Sequence, residues 1–300
     1  MRNFNSELFT RAAQKALIDA VGKAQEKSYL GVFAALVDSM GSSESYPYLT
    51  SAPVMSAVKD VVENRGLDSA LYTVSNQTYA VRMTIPREAL SDDQVGGYLA
   101  RIEQMATLAT LFPNKLLVDA LTTGNSALGF DGAAFFADSH TFDGTHDNLL
   151  GGSGTSVSQI QADVASAIAE VLSFRDSKGS PLNEGEDAFV IVAPPALRAN
   201  MQTALYGDIV SNTSNKAFMD FSIRLVTSAR LAGTDANDYY LLATGQSMPL
   251  FVQQREPVSL EILGEGTDFW TEHRAMLAQV SWRGAAAYGP YWRGAKVVNT

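Results

Sequence analysis

The chain has 300 residues and a mass of 32.2 kDa; with 46% apolar and 18% charged residues it is long enough to bury a sizeable core and excludes wholesale disorder. It contains no cysteine, which excludes disulfides, thiolate metal sites, iron–sulfur clusters and a cysteine nucleophile. A formal charge of −10, from 32 acidic and 22 basic residues, repels phosphate and argues against a general nucleic-acid binder; the lack of a long apolar run or signal-peptide core leads to the expectation of a soluble intracellular product.

Along the chain, Phe9, Ala12, Ala13, Ala16, Leu17, Ala20 and Val21 recur at helical spacing and stop at Gly22. This small, Ala-rich stripe reads either as an N-terminal arm or as the first helix of a core. Tyr29 to Val37 is apolar, and GSSES at 41–45 is a polar loop. In 71–86, Tyr79, Val81, Met83 and Ile85 alternate with Thr78, Ala80, Arg82 and Thr84, which predicts a strand. Ser75-Asn76-Gln77 before it supplies a turn or a strand kink. Ser91 and Gln94 form a capping-box pattern, with Asp92 and Asp93 in the first turn. Val95, Leu99, Ile102, Met105, Ala106 and Ala109 follow at helical spacing, then Leu116, Leu117, Ala120 and Leu121. A helix over 92–123 would be on the order of 48 Å long, with a kink or break at Pro113. Residues 125–156 read as a long ordered loop followed by a flexible linker, GGSGTS at 151–156. A helix is expected over 157–174, a buried strand at 189–195 and a helix at 196–205. Strands are expected at 223–228, 239–243, 249–254 and 258–263. The stretch 270–288 reads as one long strand, with Met276, Ala278, Val280 and Trp282 on one face.

The sharpest chemical candidate is the cluster Asp138, His140, Asp143, His146 and Asp147. Imidazoles and carboxylates this close suit Zn, Mn or Fe. The His-x5-His spacing is not the i, i+4 pair of a helical zinc site, and Asp and Ser in such a loop also serve to organise turns. GGSGTS has no lysine and does not make a phosphate loop. His273, between Glu272 and Arg274, reads as a surface residue on a strand. Tyr288, Tyr291 and Trp292 beside Arg293 have the chemistry to stack on a base, or to anchor a strand or an interface. No catalytic constellation, cofactor site or metal site is assigned. The long elements bury less of their own surface than a sphere does, and interfaces of about 1,200–2,000 Å² between subunits would cover the deficit.

Three runs carry a family resemblance. YTVSNQTYAVRMTIPREALSDDQVGGY at 72–98, FDGAAFFADSH at 130–140 and YGPYWRGAKV at 288–297 resemble the corresponding segments of Mu-like phage major head proteins. The resemblance runs from about residue 28 to the end and implies an α+β, HK97-type capsid fold. It implies an N-terminal arm at 1–43, an E-loop hairpin region at 44–90, a peripheral domain with a long spine helix at 91–156, an axial α/β domain at 157–270 and a terminal strand returning to the peripheral domain at 271–300. The implied function is that of a major capsid protein, not an enzyme, forming pentamers and hexamers of an icosahedral head around double-stranded DNA. The implied partners are further copies of the chain, a separately encoded scaffolding protein, a portal and a decoration protein. The implied location is the virion, and the host cytoplasm during assembly. No Lys lies between Lys59 and Lys115, so non-covalent locking of neighbours is expected rather than a Lys–Asn crosslink from the hairpin. The strand-rich body starts too early for a cleaved N-terminal scaffolding segment. The basic end, through Arg283 and Arg293, is expected to neutralise the acidic loop 131–147. Two rival readings are an encapsulin-like compartment shell, and a metal-dependent hydrolase using Asp138, His140 and His146.

Overall fold

The computed structural model describes residues 6–49, 69–91, 95–140, 146–176, 179–210, 213–215, 217–233 and 235–299. The first half holds α1 (Ser6–Gln25), β1 (Ala34–Asp38), β2 (Ser43–Leu49), β3 (Ser69–Ser75), β4 (Gln77–Pro86), α2 (Arg87–Ser91), α3 (Val95–Thr110) and α4 (Phe112–Thr123). The second half holds β5 (Leu149–Gly151), α5 (Val157–Ser173), β6 (Ala188–Ala193), α6 (Arg198–Tyr206), β7 (Ile209–Val210), β8 (Thr213–Ser214) and β9 (Ser222–Thr227). It closes with β10 (Tyr239–Ala243), β11 (Leu250–Leu263), α7 (Asp268–His273), β12 (Ala275–Tyr288) and β13 (Gly294–Val298).

The Ala-rich stripe of α1 is buried, from Phe9 through Ala13, Ala16 and Ala20 to Ala24. Small side chains at i, i+3 and i+4 let the helix lie close against a neighbour, and α1 packs on α3 of its own chain. Phe9 and Ala13 share a core with Ile85, Ile102, Met276 and Ala278. Of the two readings of this stripe, N-terminal arm or first helix of a core, the packing favours the second for α1, which docks on its own body, and β1 pairs in parallel with β11.

The helix expected over 92–123, with a kink or break at Pro113, is two helices, α3 and α4, broken just before that proline. They meet at Leu111 (φ −90, ψ 1), and Pro113 stands in the first turn of α4, where its missing N–H costs nothing. Ser91 is the last residue of α2, and residues 92–94 of the expected capping box lie outside the described residues.

A four-stranded sheet, in the order β1-β11-β12-β4, forms one layer. Met276, Ala278, Val280 and Trp282 alternate into its buried face as the period-two pattern requires. The two strands expected at 249–254 and 258–263 are one strand, β11. Its register against β12 shifts between Gln254 and Ser259. Pro257 lies in that shift, because a bulge tolerates its missing donor. Strand β12 begins at Ala275, not 270, and His273 ends the short helix α7 before Arg274 turns the chain through a left-handed conformation (φ 47, ψ 40). His273 is thus exposed on a helix and packs on Phe269; its expected place on a strand is corrected.

A five-stranded sheet, in the order β5-β13-β10-β6-β9, forms the second layer. Its inner strands β6, β10 and β13 are buried on both faces, and β6 and β10 so read as continuous apolar runs. Phe189, Ile191, Tyr239, Leu241 and Val297 face α5 and α6. Val190, Val192, Tyr240 and Leu242 face the other way, onto Leu117 and Leu121 of α4, Phe135 and Phe136, and Trp282 of β12.

Strands β2 and β3 pair only with each other, from Ser43↔Ser75 to Leu49↔Ser69, as a separate hairpin. Asn76 is a kink, not a hairpin turn: β3 before it pairs with β2, and β4 after it pairs with β12. Residues 77–86 of the expected hairpin region therefore belong to the four-stranded sheet. The chain exposes 15976 Å². A compact monomer of its mass would expose about 12,300 Å² on the usual scaling of surface with mass.

Candidate assembly surfaces

The base of the β2–β3 hairpin is a polar knot. Gln253 of β11 is fully buried. Its Oε1 accepts a hydrogen bond from Tyr46 Oη (2.8 Å), and its Nε2 donates to Asn76 Oδ1 (2.7 Å). Asn76 Nδ2 donates in turn to Ser39 Oγ (2.8 Å) and Gly41 O (2.9 Å). Glu44 Oε1 accepts from the amides of Gly41 and Met40 (both 2.9 Å) and from Ser39 Oγ (3.0 Å). Those donors, the Gly41 amide foremost, hold the Glu44 carboxyl below its ordinary value. Tyr46 packs edge-on against Phe251 with ring centroids 4.9 Å apart. Beyond this base the hairpin turns apolar surface to solvent, with Leu71 72% exposed.

The loop after α4 serves as an aromatic plug. Phe130, Phe135 and Phe136 are all buried, which accounts for the FDGAAFFADSH run in packing terms. Asn148 is fully buried and ties the loop to the chain end. Its Nδ2 donates to Phe135 O, Tyr291 O and Gly294 O, and its Oδ1 accepts from the Ala137 amide.

His140 is buried in this junction. Its Nδ1 lies 2.6 Å from Asp131 Oδ2, and its ring stacks on Tyr291 with centroids 3.7 Å apart and planes 1° from parallel. His146 pairs with His140 as an isolated bridge and packs edge-on against Phe174. Asp138 is exposed, and Asp143 lies outside the described residues. No group of three metal-type ligands converges among the described residues. Among the described residues Asp138, His140 and His146 are not brought together as a ligand set, which corrects the hydrolase reading of this loop: His140 Nδ1 is held by Asp131 and its ring by Tyr291, while Nε2 of His140 and of His146 is buried without a hydrogen-bond partner.

The chain end also departs from expectation. Arg293 is buried and pairs with Glu186, with a further hydrogen bond to Asn183 Oδ1 (2.8 Å). Arg283 pairs with Glu256 on the surface (3.1 Å). Lys296 is buried between Asp235 (3.5 Å) and Asp238 (3.4 Å). Among the described residues none of these three partners the acidic loop 131–147 through an ion pair; loop and chain end meet there through stacking and Asn148. Tyr288 and Tyr291 are buried against Phe135 and Phe130, which leaves them no face for a base. The GGSGTS segment is not a free linker. Gly151 belongs to β5, Ser153 bonds both carboxylate oxygens of Asp163, and Ser156 with Gln159 forms a capping box on α5. Asn148, Asn183, Glu186 and Gln253 escaped sequence reading because their partners lie far away along the chain.

A family profile described as "Mu-like prophage major head subunit gpT" matches residues 9–167, more than half of the chain. The chain belongs to this Mu-like major head subunit family. The Mu-like prophage FluMu major head subunit of Haemophilus influenzae is 29% identical over 142 residues, 47% of this chain and 45% of that protein. The major capsid protein of Escherichia phage Mu is 25% identical over 107 residues, 36% of this chain and 35% of that one. These matches span less than half the length of either curated relative. Among solved structures, the procapsid of bacteriophage JBD30 matches with a TM-score of 0.58 at 17% identity, covering 98% of this chain and 75% of that one. A virus-like particle from Pyrococcus furiosus matches with a TM-score of 0.56 at 12% identity, covering 96% and 98%. The likeness is one of fold: a mixed α+β chain of the HK97 type, as in these head subunits.

Proposed function

We propose that this chain is the major capsid protein of a Mu-like phage or prophage head, and that its copies form pentamers and hexamers of an icosahedral shell around double-stranded DNA. The observation that carries the reading is the family match over residues 9–167, joined to a fold likeness that takes in 98% of the chain. The large exposed area and the β2–β3 pair, which stands outside both larger sheets, support it, since both leave surface for other copies to cover. In this reading β2 and β3 are the base of the E-loop. Helices α3 and α4 with the four-stranded sheet make the peripheral domain, and the five-stranded sheet with α5 and α6 makes the axial domain. The role needs no catalytic residue and no cofactor. Its place is the virion, with assembly in the host cytoplasm. A separate scaffolding protein and a portal are the expected partners. A decoration protein is a further one, in line with the JBD30 capsid decorated with minor capsid protein trimers.

The test is size-exclusion chromatography with light scattering, and negative-stain microscopy, over a range of protein and salt concentrations. Closed shells or capsomer rings are expected. A compact monomer under every condition overturns the reading. An encapsulin-like shell is the second reading, favoured by the match to the virus-like particle. Nuclease treatment of particles purified from their native source separates the two. Protected double-stranded DNA is the expected outcome, and a nucleic-acid-free protein cargo would favour the second.

A further inference from the structure

The two edges of the five-stranded sheet carry opposite charge. At one edge, a cleft of about 440 Å³ opens between α6 and β9, lined by Arg198, Gln202, Tyr206, Arg224 and Leu225 among others. Both guanidinium groups are exposed. No carboxylate lines the cleft, and neither arginine has an ion-pair partner among the described residues. The backbone edge of β9 is closed. Tyr206 Oη accepts from the Leu225 amide (2.9 Å) and donates to Ile223 O (3.0 Å). A strand cannot add there without displacing that hydroxyl, so the two arginines are what the edge offers.

At the opposite edge lies β5. Asp147 stands just before it, with Oδ1 accepting from the Leu149 amide (2.8 Å). Glu170 of α5 faces Asp147. Burial first, then the charge of Asp147, raises the Glu170 carboxyl above its ordinary value, and His146 opposes this. Glu170 has no ion-pair partner among the described residues. One edge therefore holds two guanidinium groups without a carboxylate, and the other holds two carboxylates that repel each other.

Closed rings of identical subunits join head to tail, so that different surfaces of one copy meet. We infer that the Arg198/Arg224 cleft of one copy receives Asp147 and Glu170 of the next. The inference rests on the capsid reading above and specifies which edges meet within a capsomer. Arginine suits the task because its fork matches a carboxylate. Exposed ion pairs contribute little singly, but this one recurs at every contact of the ring. It also fixes direction, since turning a copy round would oppose like charges.

The test uses the full chain with R198E/R224E, and with R198E/R224E/D147K/E170K, compared by light scattering and negative stain. The double variant should keep its circular dichroism and melting temperature while its assembled fraction falls roughly tenfold or more. The four-site swap, which restores opposite charge across the contact, should return it to wild-type level. The neutral pair R198Q/R224Q should fall between the two. The absence of cysteine allows a second readout. Arg224 is on β9, whereas α5, which carries Glu170, packs over β13 and β10; two to three strand intervals of about 4.8 Å, roughly 10–14 Å in all, separate them, beyond the ~7 Å that a disulfide spans. Mildly oxidised E170C/R224C should thus give a covalent ladder only between copies. Wild-type shells together with full assembly of R198E/R224E and no ladder overturn the inference and leave the capsid reading standing. Failure of the wild type to assemble at all overturns both.

Discussion

Arg293 shows how much one buried charge decides. Its guanidinium is 1% exposed and its partner Glu186 is fully buried. The pair is completed by Asn183 Oδ1 and by Ser247 O (3.2 Å). Removing Arg293 leaves the buried Glu186 without its counter-ion, held only by backbone amides such as those of Gly245 and Gln246; breaking a buried pair in this way costs about 3–5 kcal/mol. Arg293→Met should therefore lower the unfolding free energy by about that amount in urea titrations; a loss below about 1 kcal/mol would mean water reaches Glu186. Glu44 sets a pH dependence. Its carboxyl is held below the ordinary 4.5 by backbone and hydroxyl donors. The stabilisation is present above the unfolded value and disappears as pH falls through the lower, folded one. The amides of Met40 and Gly41 should lose hydrogen-exchange protection on acidification below about pH 4.5. Glu44→Gln should flatten that dependence.

At the scale of elements, the hairpin is set by its anchor. Gln253 serves Tyr46, Asn76 and the Val74 carbonyl at once. Gln253→Ala strands buried polar groups, each costing about 1–3 kcal/mol. A loss in that range is expected by denaturation, with the β2 and β3 amides exchanging faster than those of β12; uniform exchange would refute a local anchor. The close approach of β11 and β12 beside it needs glycine. A Cβ at Gly284 would lie 2.3 Å from the Gln253 carbonyl. Gly284→Ala should destabilise by about 1–3 kcal/mol as the strands part, readable in the same titrations. Elements were legible where the pattern was local. The alternation through Met276, Ala278, Val280 and Trp282 and the stripe of α5 both appear as read. The joins were less legible. Pro113 marked the break that falls at Leu111, but the bulge at Pro257 and the choice of kink over turn at Asn76 depend on which neighbour the next segment pairs with.

The whole molecule has more surface than its mass warrants. The difference between 15976 Å² and about 12,300 Å² is enough for several patches of about 800 Å² per partner. If copies cover that surface, native-state stability is linked to assembly. The melting temperature should then rise as protein concentration carries the sample into assembled form, followed by scanning calorimetry with parallel light scattering. A midpoint independent of concentration across that transition would contradict the linkage.

What the sequence determined by itself was the inventory: which runs are helix or strand, which side chains must be hidden, the acidic balance and the lack of thiol chemistry. These follow from periodicity and side-chain chemistry, which act over a few residues. The tertiary structure alone decided what the histidines, arginines and glutamines do. His140 looked like a ligand until Asp131 and Tyr291 closed on it. Arg293 looked like a partner for the acidic loop until Glu186 took it. Arg198 and Glu170 carry no local sequence signal, and only the strand order and helix packing set them toward opposite edges of one sheet. The physical reason is the same throughout. A polar side chain's role is set by what the fold brings within about 3–4 Å of it, and in this chain the groups that meet lie up to 216 residues apart.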